Sequence, residues 1–383
     1  MRINERRSLW RRLRPYFTVF DGPLTFIILM LLTVSSITLY SASIGIPGKM
    51  EDHMRNILLS FAVMWVVANI SPQMMMRIAV PAYTVGMILL VAVALVGTIK
   101  LGARRWLHVG IDIQPSEFMK IVTPMMLAWF FQHRAGQLRW QAYCIAALLL
   151  MMPVALIVRQ PDLGTALLVV AAGFSVIFLA GLSWKALAGL LAAFAASLPV
   201  IWSLLHDYQR ERVMTLIDPT SDPLGKGFHI IQSTIAVGSG GITGKGWTQG
   251  TQAHLEFIPE RTTDFIFAVY SEEFGLVGNL VLVTLYLLLI WRATSIALNA
   301  PTFFTRLLAG AITMIYFTYA FVNMAMVSGI VPVVGVPLPF MSYGGTALFT
   351  LGIGAGILMS ISHFTRTVRH GAGGSVPAWG VTA

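Results

Sequence analysis

Chemistry in this chain concentrates where a polar loop runs into an apolar segment, at residues 250–278, GTQAHLEFIPERTTDFIFAVYSEEFGLVG. Glu256, Glu260, Arg261 and Asp264 lie in the loop, and Phe265, Ile266 and Phe267 follow at once. A carboxylate at a bilayer edge is costly unless it is paired, solvated in a cavity or used. One reading makes Thr263 or Asp264 the cap of the next helix, where an anion suits the helix dipole. The other makes Asp264 a working carboxylate. Asp264, Ala268, Ser271 and Gly275 share one small, polar helical face, which predicts that this face points into a helical bundle. Glu272 and Glu273 lie a little deeper.

A second polar segment, GARRWLHVGIDIQPSEFMK at 102–120, brings Arg104, Arg105, Trp106, Glu117 and Lys120 to the start of another apolar run. Pro115 suits a first helical turn and Ser116 can cap it. Glu117 and Lys120 are three apart and share a face. They read either as cavity-lining groups or as a salt bridge at a helix start, with a snorkelling lysine and an interfacial tryptophan. QPDLGT at 160–165 reads as an N-cap and tight turn. GVPLPFMSYGG at 335–345 cannot form an ordinary spanning helix. It is a cavity-lining segment or a bent outer loop. Gly244-Lys245 fails as a phosphate-binding P-loop: Ser239 stands at the first glycine and Gly246 at the Ser/Thr position.

The elements that must hold these residues are membrane spans. The chain has 383 residues, 56% hydrophobic and 11% charged, with a mean hydropathy of +0.76. A soluble chain is about 25% charged. The one cysteine, Cys144, excludes an internal disulfide or a thiolate cluster. The net charge of +10 is scattered over loops and the N-terminal tail, so it reads as membrane topology and not as nucleic-acid binding. No cleavable signal is expected: arginines 2, 6, 7, 11, 12 and 14 precede a first span.

The expected fold is an all-α polytopic membrane protein of ten spans, near 24–40, 55–70, 78–98, 116–131, 141–158, 163–180, 184–205, 265–291, 305–328 and 344–364. One membrane domain, 24–364, then lies between tails 1–23 and 365–383. A loop at 205–264 joins spans seven and eight. With both termini cytoplasmic, fourteen of the 26 basic residues fall inside. The five in the long loop escape the positive-inside rule, which leaves seven outside. The long loop is therefore expected outside. Its apolar stretch 230–237 predicts that it folds against the bundle and forms the mouth of a site. The same layout gives an outward-facing cavity rimmed by Asp264, Glu117, Lys120, Arg104, Arg105 and this loop.

These motifs resemble the SEDS family of bacterial shape, elongation, division and sporulation proteins, from about Asp21 to Arg366. They are GARRW (102–106), QPSEFMK (114–120), QPDLGTA (160–166), DPLGKGFHIIQSTIAVGSGG (222–241), GTQ (250–252), PERTTDFIFAVYSEEFG (259–275) and PLPFMSYGG (337–345). GTQ before FIPER, and VPVVGVPLPF, favour the elongation branch over the division branch. Thr262 departs from the family, which commonly has histidine there.

The resemblance implies a peptidoglycan glycosyltransferase of the bacterial cytoplasmic (inner) membrane. It polymerises lipid II into a nascent glycan strand at the extracytoplasmic face, during elongation and rod-shape maintenance. Asp264 matches the family's essential aspartate. A sugar 4-hydroxyl attacks an anomeric carbon with inversion, and undecaprenyl pyrophosphate leaves. A positioned carboxylate acting as general base contributes about 10²–10⁴-fold. Arg104, Arg105, Lys120, Lys245 and Arg261 are candidates for the pyrophosphate. Trp106, Glu117, Gln252 and Ser342 complete the candidate substrate-binding set. No metal-ligand spacing stands out, although a divalent cation (Mg²⁺ or Mn²⁺) is compatible with a pyrophosphate leaving group. The implied partners are a class B penicillin-binding transpeptidase, the elongation (rod) complex and membrane lipids, with no nucleic acid.

Two other classes stay open. A lipid II flippase needs ionisable residues at the membrane midplane and discontinuous helices. A non-catalytic scaffold does not need the small polar face around Asp264.

Overall fold

A computed structural model describes residues 18–371, except 101, 102, 110, 137, 206, 222–225, 255, 256 and 259. The basic tail arginines, Glu256 and the chain from 372 onward lie outside the described residues. The structure is mostly helical. It begins with α1 (Gly22–Ala42), α2 (Lys49–Ala68) and α3 (Pro72–Val96). After a short sheet come α4 (Pro115–His133), α5 (Trp140–Arg159), α6 (Leu163–Leu179) and α7 (Trp184–Leu204). The long connection carries α8 (Asp207–Ile217), α9 (Lys226–Ser239) and the one-turn α10 (Thr251–His254). The chain closes with α11 (Ile266–Asn299), α12 (Phe303–Val327) and α13 (Gly345–Gly371). Among the described residues, six helices are long and apolar enough to cross a membrane: α1, α3, α5, α11, α12 and α13. Two shorter apolar helices accompany them, at Leu163–Leu179 and Trp184–Val200. This is a multi-pass membrane protein.

Local chemistry sets several helix starts. Asp21 caps α1 through Leu24 N at 3.2 Å, and Asp162 caps α6 through Thr165 N at 3.2 Å. A capping box between Thr302 and Thr305 opens α12. α12 packs on α11, α6 and α4, and α13 packs on α2. Tyr316 and Tyr319 of α12 are buried at this centre. α7 instead exposes most of its described side chains, including Leu190, Leu191, Phe194 and Leu198.

Two features depart from the sequence reading. The stretch after α3, expected only as a polar outer stretch of an all-α chain, forms an antiparallel meander, β1 (Thr98–Lys100), β2 (Ala103–Val109) and β3 (Ile111–Ile113). Lys100 pairs with Ala103, and Val109 with Ile111. Glycines at 102 and 110 stand at the two reversals in sequence, a hairpin signal set among β-branched residues. The other feature is in α11. Its 34 residues would extend about 51 Å at 1.5 Å each, against a hydrocarbon core of about 30 Å. The helix breaks at Gly275, whose φ of 63° and ψ of −159° are not helical. Residues 276–299 run on as the apolar span, and 266–274 form a separate short rod.

Backbone groups freed by this break find partners in the glycine-rich turn after α9. Lys245 N and Gly246 N donate to Glu272 O and Glu273 O, at 3.0 and 3.1 Å. Leu276 N and Val277 N donate to Gly241 O and Ile242 O, at 2.9 and 3.0 Å. A Cβ at Gly244 would collide with Glu273 O, so the close approach requires glycine. The connection is thus folded against the bundle in its described part, with Ile230, Ser233 and Ala236 buried.

Candidate functional site

Asp264 ends a turn in which Thr263 N and Phe265 N donate to Glu260 O, at 3.0 and 3.3 Å. The cap of α11 is Phe265, with no side-chain capping bond, so Asp264 does not cap the helix. The surrounding main chain is held at three successive carbonyls. Tyr343 N donates to Thr262 O at 2.9 Å, Ser342 Oγ to Thr263 O at 2.6 Å, and Asn323 Nδ2 to Asp264 O at 2.8 Å. Asn323 also donates to Val336 O at 2.7 Å, and Leu338 N donates to Ser342 Oγ at 2.7 Å. The GVPLPFMSYGG segment and α12 therefore grip the backbone and leave the carboxylate unused. Among the described residues no hydrogen bond reaches it. A Cβ built on Gly335 would lie 3.3 Å from Asp264 Oδ2, which places that backbone against the carboxylate. Burial pushes the carboxyl up to about 6, and the nearby Glu260 carboxylate adds to the effect.

Glu117 and Lys120 form a second group. Lys120 Nζ lies 2.5 Å from Glu117 Oε1 and 2.5 Å from the Tyr319 hydroxyl, with its side chain only 2% exposed. Thr350 Oγ1 donates to Glu117 Oε2 at 3.2 Å. Tyr319 and Asn323 are four residues apart on α12 and so share a face. That face joins the ion pair to the Asp264 backbone.

The remaining expected residues sit in separate places. Arg104 Nη1 donates to Ala94 O and Leu95 O, both at 3.4 Å, and closes the end of α3. Arg105 donates to Gln160 O at 3.2 Å and Pro161 O at 2.5 Å. Trp106 lies opposite Thr98 in the sheet. The turn that Arg105 grips also touches the site. Asp162 accepts from Gln114 at 3.0 Å, and a Cβ on Gly164 would lie 2.7 Å from Val334 O. Lys245 and Gln252 meet at buried Glu272, not at the Asp264 carboxylate. Lys245 Nζ and Gln252 N reach Glu272 Oε1 at 2.6 and 3.1 Å, and Thr251 N does so at 2.9 Å. Arg261 donates to Ala42 O at 2.9 Å and ties the loop to the end of α1.

The structure thus pairs Glu117 with Lys120, brings Ser342 to the Asp264 turn, and gathers Lys245 with Gln252. Asn323, Tyr319 and Glu272 are the organising residues that the sequence reading did not use as such. A polar Asn323 in an apolar span was the available signal. Among the described residues no three His, Cys, Asp or Glu side chains converge as metal ligands, so no protein site is assigned to a divalent cation.

Fold and site together define a class: a multi-pass helical membrane protein with a recessed, unpaired carboxylate held by main-chain contacts at one end of the bundle. The chain belongs to the cell cycle protein family of FtsW, RodA and SpoVE, whose family model matches residues 22–367. It is 51% identical over 343 residues to the peptidoglycan glycosyltransferase MrdB of Escherichia coli K12, covering 89% of this chain and 93% of that one. A solved chain from a peptidoglycan synthase complex is 34% identical with a TM-score of 0.78, covering 90% of this chain and 98% of that one. The rod shape determining protein RodA of Thermus thermophilus is 28% identical with a TM-score of 0.68, covering 90% and 97%.

Proposed function

We propose that this protein is a peptidoglycan glycosyltransferase that polymerises lipid II at the outer face of the bacterial cytoplasmic membrane, with Asp264 as its general base. Family membership and the 51% identity to a named peptidoglycan glycosyltransferase support the activity. One observation carries the assignment of Asp264: its carboxylate is recessed, accepts no hydrogen bond among the described residues, and is pushed up to about 6. A base near the working pH both ionises and accepts a proton in the transition state.

In this reading the acceptor sugar's 4-hydroxyl gives its proton to Asp264 as its oxygen bonds to the donor's anomeric carbon. The bond from that carbon to the pyrophosphate oxygen breaks, configuration inverts, and undecaprenyl pyrophosphate leaves. Lys120 of α4 is the cation that meets the α12 face, at the Tyr319 hydroxyl. Arg105 stands behind the 160–164 turn and Lys245 beside the α11 break, so their use on pyrophosphate requires them to leave protein carbonyl or carboxylate partners. Trp106, Arg104, Arg261, Gln252 and Ser342 fit supporting roles that shape the mouth. The ten-span layout, with inner termini and the α7–α11 connection outside, accommodates this site. The synthase-complex neighbour supports a class B penicillin-binding transpeptidase as partner, with the elongation complex around it.

The test is lipid II polymerisation by the purified protein, alone and with the transpeptidase, beside Asp264→Asn checked for folding by thermal unfolding. Near-normal rate and glycan length from a folded mutant would sink the general-base role. The break in α11 at Gly275 favours a second reading, a lipid II flippase. Movement of lipid II across vesicle bilayers, retained in Asp264→Asn and without any polymer from wild type, would select it.

A further inference from the structure

The end of the bundle opposite Asp264 holds a polar site that glycosyl transfer does not use. Asp21, fully buried at the start of α1, accepts two bonds from Arg292: Nε to Oδ1 at 2.8 Å and Nη2 to Oδ2 at 2.6 Å. Arg366 Nη2 and Ser362 Oγ also reach Oδ2, at 2.6 and 2.7 Å. Burial alone would raise the Asp21 carboxyl, but these bonds and the Leu24 N–H outweigh it and hold the group down at about 2. Asp21 is therefore a permanent anion whose oxygens are both engaged. Alongside, Arg369 Nη2 donates to Asn299 Oδ1 at 2.6 Å.

A cleft of about 130 Å³ opens between these groups, lined by the three arginines with Ser295, Asn299 and Thr365 among its polar walls. That is the space of about four waters at ~30 Å³ each. Among the described residues no acidic side chain lines it. Arg292 and Arg366 share the Asp21 carboxylate and Arg369 lies alongside on Asn299, which leaves an excess of two positive charges among these described groups. The negative ends of α11 and α13 attract cations, but that effect is satisfied by single exposed charges and needs no cleft. Arginine forks match phosphate oxygens. Basic clefts between spans on the cytoplasmic side suit anionic lipid headgroups.

The geometry points to a binding site for a phosphate ester, the phosphodiester headgroup of an anionic phospholipid, between the inner ends of α11 and α13. Arg369 and Arg366 grip the phosphate, while Asp21 keeps Arg292 fixed behind them. The inner placement rests on the proposed topology, whereas the anion chemistry does not.

Full-length protein in detergent is titrated with phosphatidylglycerol, phosphatidylcholine and inorganic phosphate, read by thermal unfolding and by native mass spectrometry of retained lipid. Phosphatidylglycerol is expected to bind more tightly than phosphatidylcholine. Arg369→Gln, an exposed position that spares the Asp21 cluster, should weaken it about tenfold, as on losing one charge-assisted hydrogen bond. Arg369→Lys should lie between. Saturation by inorganic phosphate without lipid preference supports the anion site and assigns it to a soluble phosphate ester. Equal uptake of both lipids with no response to phosphate, or full affinity in Arg369→Gln, overturns the proposal. Polymerisation by Arg369→Gln separates this outcome from any failure of the catalytic reading.

Discussion

Asp264→Asn is expected to abolish polymerisation and also to stabilise the fold at neutral pH. Burial first, and Glu260 second, raise the Asp264 carboxyl from 3.8 to about 6. The folded protein thus binds this proton more tightly than the unfolded chain does. The group's contribution to stability is complete below pH 3.8 and is lost as pH rises through 6. Two pH units correspond to about 3 kcal/mol. Solvent reaching the partly exposed carboxylate lowers this, so about 1–2 kcal/mol is the expected cost above pH 7. Asparagine keeps the shape and removes the charge. Thermal unfolding of wild type and mutant at pH 3 and pH 8 should show nearly equal midpoints at the lower pH. At the higher pH the mutant should be ahead by about 1–3 °C. Wild-type polymerisation should fall with acid through about pH 6. A mutant no more stable than wild type at pH 8, or a gain that is the same at both pH values, would refute the claim that the fold holds a strained, desolvated carboxylate.

Three further outcomes follow from the contacts. Asn323→Ala removes donors to Asp264 O and Val336 O, so stability should drop by about 1–3 kcal/mol and polymerisation should fall further than folding does, measured by unfolding beside initial rates. Lys120→Ala leaves Glu117 beside Tyr319 without its cation. A loss of about 3 kcal/mol or more is expected, and Glu117→Gln should recover part of it in a double-mutant cycle. Gly275→Ala puts a Cβ against Gly244 N at a φ of 63°, so the α9 turn should come away from α11 and become cleavable by protease from the outer side.

Much of this architecture was legible in the chain. Hydropathy located the long helices, and the charge pattern singled out Asp264, Glu117 and Lys120. Ala268 and Ser271 are buried as their spacing predicted, but Asp264 lies before α11 and Gly275 is not helical, so the expected four-residue helical face does not form. The break at Gly275 was not legible, because its cause is remote. The run from Phe265 onward is apolar throughout, and only a turn some thirty residues earlier supplies bonds for the broken backbone. Ser342 illustrates a related limit. It stands in the candidate substrate-binding set in sequence, but in three dimensions its hydroxyl is engaged with Thr263 O and Leu338 N. The meander at 98–113 was read only as a polar outer stretch, because its strands are too short to show a clear period.

The broken helix also has a mechanical consequence. Residues 266–274 form a rod about 13 Å long at 1.5 Å per residue. One end is moored beside Asn323 and the other is stitched to the turn after α9. Such a rod behaves as a crank. A partner that displaces the connection carrying that turn would act on the far end of the rod, whose near end carries the Asp264 turn. Residues 266–273 are buried, so any turning of the rod is coupled to repacking of its neighbours. In the proposed reading of Asp264 as general base, a stiff linkage of nine residues couples that connection to catalysis.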